Sequence, residues 1–244
     1  MKEIRTFYVP HATEQSELPV EEAAHAIKVL RLNRDDQIVL IDGEGNAYNA
    51  VITECNKKRC LYRITESISQ SDNMYSPYNI AIAPTKMMER MEWFAEKATE
   101  IGINRISFLD CQNSERHIVK TDRVERIVIS AMKQSHKAYK PIVDEMMGFR
   151  QCLASALPGK KYIAHCHDEI PREYLLDALT AQIPAEPMTV FIGPEGDFSV
   201  EEVKTAIDNG FVSVHLGESR LRTETAALYS LMMMHLCSSE RGKR

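Results

Sequence analysis

Arg220, Arg222 and Glu224 follow closely on a glycine, Gly217, and a helical apolar pattern begins just beyond them. Another carboxylate, Glu195, stands inside the turn Gly193-Pro194-Glu195-Gly196 of the stretch "FIGPEGDFS". Both glycine turns come after a β-rich run and before a helix, the place where an open parallel sheet seats its ligands. The charges then stand beside a site that strands would otherwise make apolar. The same residues would also serve a solvated loop, with Thr223 capping a helix and Glu224 in its first turn. Glycine turns ahead of helices also suit a small phosphorylated ligand. Other common devices are absent: no G-x-G-x-x-G follows a strand, no phosphate-binding G-x-x-x-x-G-K-[ST] occurs, and no G-x-S-x-G elbow is present.

The elements that must position these residues are legible in the pattern. "MTVFI" before the first turn reads as a strand buried on both faces, Ser199 and Glu202 have capping-box spacing, and Gly210 stands where that helix would stop. "YNIAIAP", "INRISFL", "KYIAHC" and "FVSVHL" are further strands, with helices between them, one of them carrying Met91, Phe94, Ala95, Ala98 and Ile101 on its apolar face and closed by Gly102. Alternation of this kind predicts an α/β fold with a parallel sheet over residues 73–244. Residues 1–72 read differently, as short β runs around one helix, "PVEEAAHAIKVL", which has Pro19 at its start and acids in its first turn. The polar "SQSDNMYSP" marks a linker and a boundary near Asn73.

With 244 residues and 44% hydrophobic content the chain can build a substantial core, and thirty basic against thirty-five acidic side chains leave a net charge of -5. That balance excludes a protein that coats nucleic acid indiscriminately. Residues 115–140 depart from it, with seven Lys and Arg against three acids. On a helix, Arg126, Lys133, Lys137 and Lys140 would form a stripe opposite Val124, Ile127, Val128, Ala131, Ser135 and Ala138, either a solvated face or a contact for a phosphate backbone. No run is long and apolar enough for a membrane span or a signal peptide, so a cytoplasmic protein is expected. Six scattered cysteines suit reduced thiols. No metal site is expected: in "HCH", residues 165–167, neighbours on a strand would point to opposite faces.

Taken in order, "HAIKVLRL", "KMMERMEWFAEKATEIGI", "NSER", "AMKQS", "FIGPEGDFS" and "LGESRLRTETAAL" resemble the ribosomal RNA small subunit methyltransferase E family, over almost the whole chain. The resemblance implies a SPOUT methyltransferase domain with a trefoil knot, preceded by a small PUA-like β-barrel that binds RNA. It implies S-adenosylmethionine as cofactor, N3 of a uridine in small-subunit (16S) ribosomal RNA or the assembled subunit as substrate, and a homodimer. Ile192, Gly193, Gly196, Leu216, Gly217, Leu221, Arg222, Thr225 and Ala226 would form the cofactor pocket. Glu195 or Glu224 would accept the N3 proton, and Arg222 would stabilise the uracil anion. RNA would meet Lys28, Arg31 and Arg34, at helical spacing in the first domain, together with Arg116, Arg126, Lys133 and Lys137. An RNA-binding protein without activity on the same fold is the alternative. Three stretches depart from the family pattern: Asp197 where a second glycine is usual, "NRDD" after "VLRL", and "QSHK", which leaves open whether His136 or Lys137 meets the RNA.

Overall fold

The computed structural model describes residues 5–68, 76–155, 159–180 and 186–239. It divides into two compact units, the described residues of Met1–Tyr75 together with Ile129–Lys140, and Ser76–Val128 together with Pro141–Arg244. A cut near residue 73 therefore does not by itself separate them, and the linker expected there lies, up to residue 75, outside the described residues.

In the first unit, β1 (Arg5–Tyr8), β2 (Gln37–Ile41), β3 (Ala47–Cys55) and β4 (Cys60–Ile68) pair in chain order, β1 with β2 parallel and the rest antiparallel. The helix α1 (Val20–Lys28) starts after Pro19, with Glu21 and Glu22 in its first turn, and buries Ala23 and Ala26 among Phe7, Ile38, Leu40 and Ile52. The Tyr62 hydroxyl, pushed up to a pKa of about 12 by burial, donates to the Ala12 carbonyl at 2.8 Å. Residues 129–140 join this unit through Met132 and Ala138, which pack on Ile41 and Ala47. A side chain at Gly45, where φ is +103°, would put its Cβ 2.3 Å from Tyr139 Cζ, so that close approach requires glycine.

Register places Cys55 opposite Cys60 at the turn end of the β3–β4 hairpin, Cα atoms 4.2 Å apart, and the two form a disulfide. This corrects the expectation of reduced thiols throughout. Spacing along the chain could not show a pair that only the hairpin brings together.

The second unit is a seven-stranded sheet in which every pairing is parallel. From there on the strands and helices of the chain run β5 (Tyr78–Ile82), α2 (Met88–Ile101), β6 (Arg105–Asp110), α3 (Thr121–Gln134, of which the part from Ile129 belongs to the first unit), β7 (Ile142–Gly148), α4 (Phe149–Ala154), β8 (Lys160–Ala164), β9 (Glu173–Tyr174), α5 (Leu175–Thr180), β10 (Met188–Ile192), α6 (Val200–Asp208), β11 (Val212–His215) and α7 (Thr223–Ser239). The sheet order is β7-β6-β5-β10-β8-β11-β9. Only the two edge strands, β7 and β9, escape the sequence pattern. Alternation sorts the central strands between two cores: Ile80, Ile82, Val190 and Ile192 face one side with Phe94 and Leu231, while Ala81, Ala83 and Phe191 face the other with Phe149, Phe198 and Val203. The α6 capping box is formed, Ser199 Oγ accepting the Glu202 N–H and Glu202 Oε2 accepting the Ser199 N–H. Helix α7 is apolar all round because its Leu228, Leu231, Met233 and Met234 are core, leaving Tyr229, Met232 and Leu236 exposed. Among the described residues no helix is long and apolar enough to cross a membrane.

Candidate functional site

Strands β10, β8 and β11 are neighbours, and the loops at their carboxyl ends meet around a cavity of about 460 Å³. Ile192, Leu216, Leu221 and Ala226 give it apolar walls, Gly193, Gly196 and Gly217 bring backbone to its edge, and Arg222 adds charge. Thr225 stands apart from the other expected cofactor residues: it lines an adjoining pocket of about 640 Å³. A Cβ on Gly193 would lie 3.0 Å from the Phe198 nitrogen and 3.1 Å from its ring, so the turn packs too closely for a side chain. Glu195 lines the cavity with its side chain exposed, its Oε1 accepting the Lys86 N–H at 3.1 Å.

Sequence reasoning missed the third loop. Residues 165–167 lie beyond the end of β8 rather than on it, so strand alternation does not govern where they point. His165 and Cys166 line the cavity, as do Arg172 and, from α2, Arg90. His165 is 4% exposed, and burial lowers its pKa from 6.5 to about 4 against the pull of the Asp197 carboxylate. Its Nδ1 accepts the His167 N–H, so Nε2 carries the proton and donates to Ser213 Oγ at 2.8 Å, which in turn donates to the Pro171 carbonyl. The Arg172 guanidinium donates to the His165 carbonyl at 2.8 Å and to Asp168 at 2.6 Å. Neutral, clamped and buried, His165 shapes the wall. The signal that could have revealed it is sheet order, because β8 lies between β10 and β11.

Asp197 occupies a left-handed backbone position, φ +63°, where a glycine would rest without strain. Its carboxylate compensates by accepting two backbone N–H groups, from Cys166 and Phe198. Glu224, at the start of α7, is only 6% exposed, and its ionic partner is Arg90, with Nε 3.8 Å from Oε1. Arg222 is exposed and, among the described residues, forms no ion pair with Glu224.

The expected RNA contacts fare unequally. Lys28, Arg31 and Arg34 are exposed, but α1 ends at Lys28 and Arg31 turns left-handed at φ +53°, which corrects the helical spacing assumed for them. The basic stripe is broken in the same way: α3 ends at Gln134 and His136 takes φ +55°, so Lys137 and Lys140 are off the helix. Lys133 holds the buried Glu22 at 2.6 Å, and burial lowers the Lys137 pKa. Arg116 donates to the Thr85 and Lys86 carbonyls, bracing the loop after β5, while Arg126 is exposed.

An RNA methyltransferase domain family matches residues 50–235, and an RNA methyltransferase PUA domain family matches residues 18–65. The ribosomal RNA small subunit methyltransferase E of Mycobacterium bovis is 30% identical over 240 residues, covering 92% of this chain and 88% of that one. The chain belongs to the methyltransferase E family. The member from Bacillus subtilis is 27% identical over 224 residues, 86% of each chain. Among solved structures, a probable rRNA-methyltransferase from Porphyromonas gingivalis superimposes with a TM-score of 0.88 at 37% identity, covering 98% of this chain and 100% of that one. The methyltransferase E from Neisseria gonorrhoeae, bound to S-adenosyl methionine, does so with a TM-score of 0.79 at 27% identity, covering 96% and 98%. The expected fold class holds: a parallel α/β methyltransferase domain with SPOUT relatives, preceded by a PUA-like domain.

Proposed function

We propose that this chain transfers a methyl group from S-adenosylmethionine to N3 of a uridine in small-subunit (16S) ribosomal RNA, free or in the assembled subunit. The observation that carries the reading is the cavity at the ends of β8, β10 and β11. Its volume of about 460 Å³ suits a ligand of that size, its apolar walls suit an adenine ring, and its two glycine-bearing loops leave backbone groups to hold polar atoms. Relatives carrying the methyltransferase E name, one of them bound to S-adenosyl methionine, support it.

When bound, S-adenosylmethionine supplies an electrophilic methyl carbon: the nitrogen–carbon bond forms as the carbon–sulfur bond breaks, and the electron pair leaves on sulfur. The chain's own task is to hold both reactants in line, to take the N3 proton on a carboxylate, Glu224 or Glu195, and to face the charge left on uracil with Arg222. The base must be unpaired or flipped out, since N3 lies on its pairing edge. Exposed Lys28, Arg31 and Arg34 support RNA docking by the N-terminal domain, and Arg126 adds a cation on the other unit. The exposed Tyr229, Met232 and Leu236 on α7 support a homodimer. The position of β10 between β5 and β8, with β11 beyond β8, supports a knotted C-terminal segment of the SPOUT type. The substrate places the reaction in the cytoplasm.

The test is labelled methyl transfer to small-subunit RNA lacking the modification. One labelled uridine is expected, with reverse transcription stopping beside it because N3 methylation blocks pairing. Folded protein that leaves both free RNA and assembled subunits unlabelled would reject the reading.

A further inference from the structure

We propose that the second pocket, lined by Arg90, Trp93 and Glu224, receives the target uracil, with Glu224 taking the N3 proton and Trp93 stacking on the ring; this rests on the methyl-transfer reading above. Arg90, Arg220, Leu221 and Arg222 line both this pocket and the cofactor cavity, so a base in one adjoins a methyl donor in the other.

Glu224 carries the decisive feature. Its Oε1 faces Arg90, but its Oε2 is shut off from solvent with no hydrogen-bond donor. A buried carboxylate oxygen without a donor is costly, and such vacancies in native proteins call for a ligand or a function. Glu224 lines the pocket, and the terminal torsion of a glutamate is soft, so its carboxylate is free to turn toward a base seated there. Uracil presents the missing donor at N3. Its bond to hydrogen breaks, the electron pair stays on nitrogen for the new bond to carbon, and the proton ends on Oε2, from which water removes it. Cytosine offers no proton at N3, only a lone pair that the carboxylate repels, so the same oxygen selects uracil. Glu195 suits the task less well, being exposed and already accepting the Lys86 N–H. Trp93, 47% exposed beside Glu224, supplies the flat surface on which an unstacked base settles.

Trp93 is the sole tryptophan of the chain, so its fluorescence reports on the pocket without a label. Full-length protein is titrated with a uridine trinucleotide, its N3-methyl counterpart and a cytidine trinucleotide. Quenching by uridine is expected at a concentration roughly ten-fold lower than for either of the others, the usual scale for one lost hydrogen bond. Glu224→Gln should erase that preference and lower methylation about 100-fold or more, the contribution of a general base, while binding S-adenosylmethionine as the wild type does. Equal quenching by all three, or wild-type turnover in Glu224→Gln, overturns the proposal while active wild-type enzyme keeps the parent reading intact. If Glu224→Gln fails to fold, Trp93→Leu takes its place: a raised KM for RNA at unchanged cofactor affinity supports the base site. Conversion of that variant to a monomer would assign Trp93 to a subunit interface and overturn it.

Discussion

The Asp197 carboxylate accepts the Cys166 backbone N–H at 2.7 Å, tying the loop after β10 to the loop after β8. Two cavity walls are thus joined by one side chain held in a left-handed conformation. Asp197→Ala removes the acceptor and keeps the strain of a Cβ there, whereas Asp197→Gly removes the acceptor and relieves that strain. The alanine variant should lose roughly 2 to 4 kcal/mol of stability, and the glycine variant at least about 1 kcal/mol less than that. Denaturant unfolding of the three proteins checks the order, and equal losses would show that backbone strain is not part of it.

Arg222 lines both pockets and leaves Glu224 to Arg90. Its guanidinium therefore stands ready for charge that develops on the substrate. Arg222→Lys should lower turnover by ten-fold or more and leave cofactor affinity within about two-fold, since the lost interaction belongs to the transition state. Calorimetry with S-adenosylmethionine beside single-turnover kinetics separates the alternatives. A fall in affinity of about 1.5 to 3 kcal/mol at unchanged turnover would instead assign Arg222 to the cofactor carboxylate.

His165 makes stability depend on acidity. In the unfolded chain its imidazole takes up a proton near pH 6.5, and in the folded protein only near pH 4. Between those values the unfolded state binds more protons, so the stabilisation is complete above pH 6.5 and drains away as pH falls toward 4, by roughly 3 kcal/mol in total. His165→Gln can still donate to Ser213 and does not titrate. Its unfolding free energy should fall less than that of the wild type between pH 7 and pH 4.5, and parallel curves would refute the assignment.

Lys133 serves the fold before any RNA. Its ammonium meets Glu22 at 2.6 Å, and the second oxygen of that carboxylate is buried without a partner. Lys133→Ala should cost about 2 to 4 kcal/mol by stranding the charge, and a Lys133→Met, Glu22→Leu pair should recover most of the loss. Thermal melts of the single and double variants decide this. A single variant of wild-type stability that binds RNA more weakly would return Lys133 to the interface.

The exposed side of α7 gives an oligomer test. Met232→Lys, at a residue 49% exposed, should change monomer stability by less than about 0.5 kcal/mol yet dissociate a dimer that buries that face. Sedimentation at micromolar concentration reads the outcome, and a variant that stays dimeric places the interface elsewhere.

What could be read from the sequence was chemistry that acts over a few residues. Ser199 and Glu202 announce their helix because cap and partner are three positions apart, and "MTVFI" announces a central strand because four of its five side chains are apolar and the fifth is β-branched. Arg31 was misread for the converse reason: helical spacing continues on paper after the backbone has turned at φ +53°. Arg90, His165 and Arg172 went unnoticed in the cavity because sheet order, not sequence distance, brings them to Gly193 and Gly217. The Cys55–Cys60 bond needs the hairpin to close before the two thiols meet, and the Arg90–Glu224 pair exists only after distant segments have packed.

Helix α3 begins in one unit and ends in the other, and residues 129–140 complete the packing around Ile41, Ala47 and Gly45. During synthesis, then, the amino-terminal unit has its main core when its own strands have emerged but not the packing on Ile41 and Ala47. It must wait for the chain to grow from residue 75 to residue 140, roughly 3 to 13 seconds at ordinary elongation rates. In that interval Ile41 and Ala47 lack the apolar neighbours Met132 and Ala138, so the first unit to be translated is completed only by a segment of the second half of the chain.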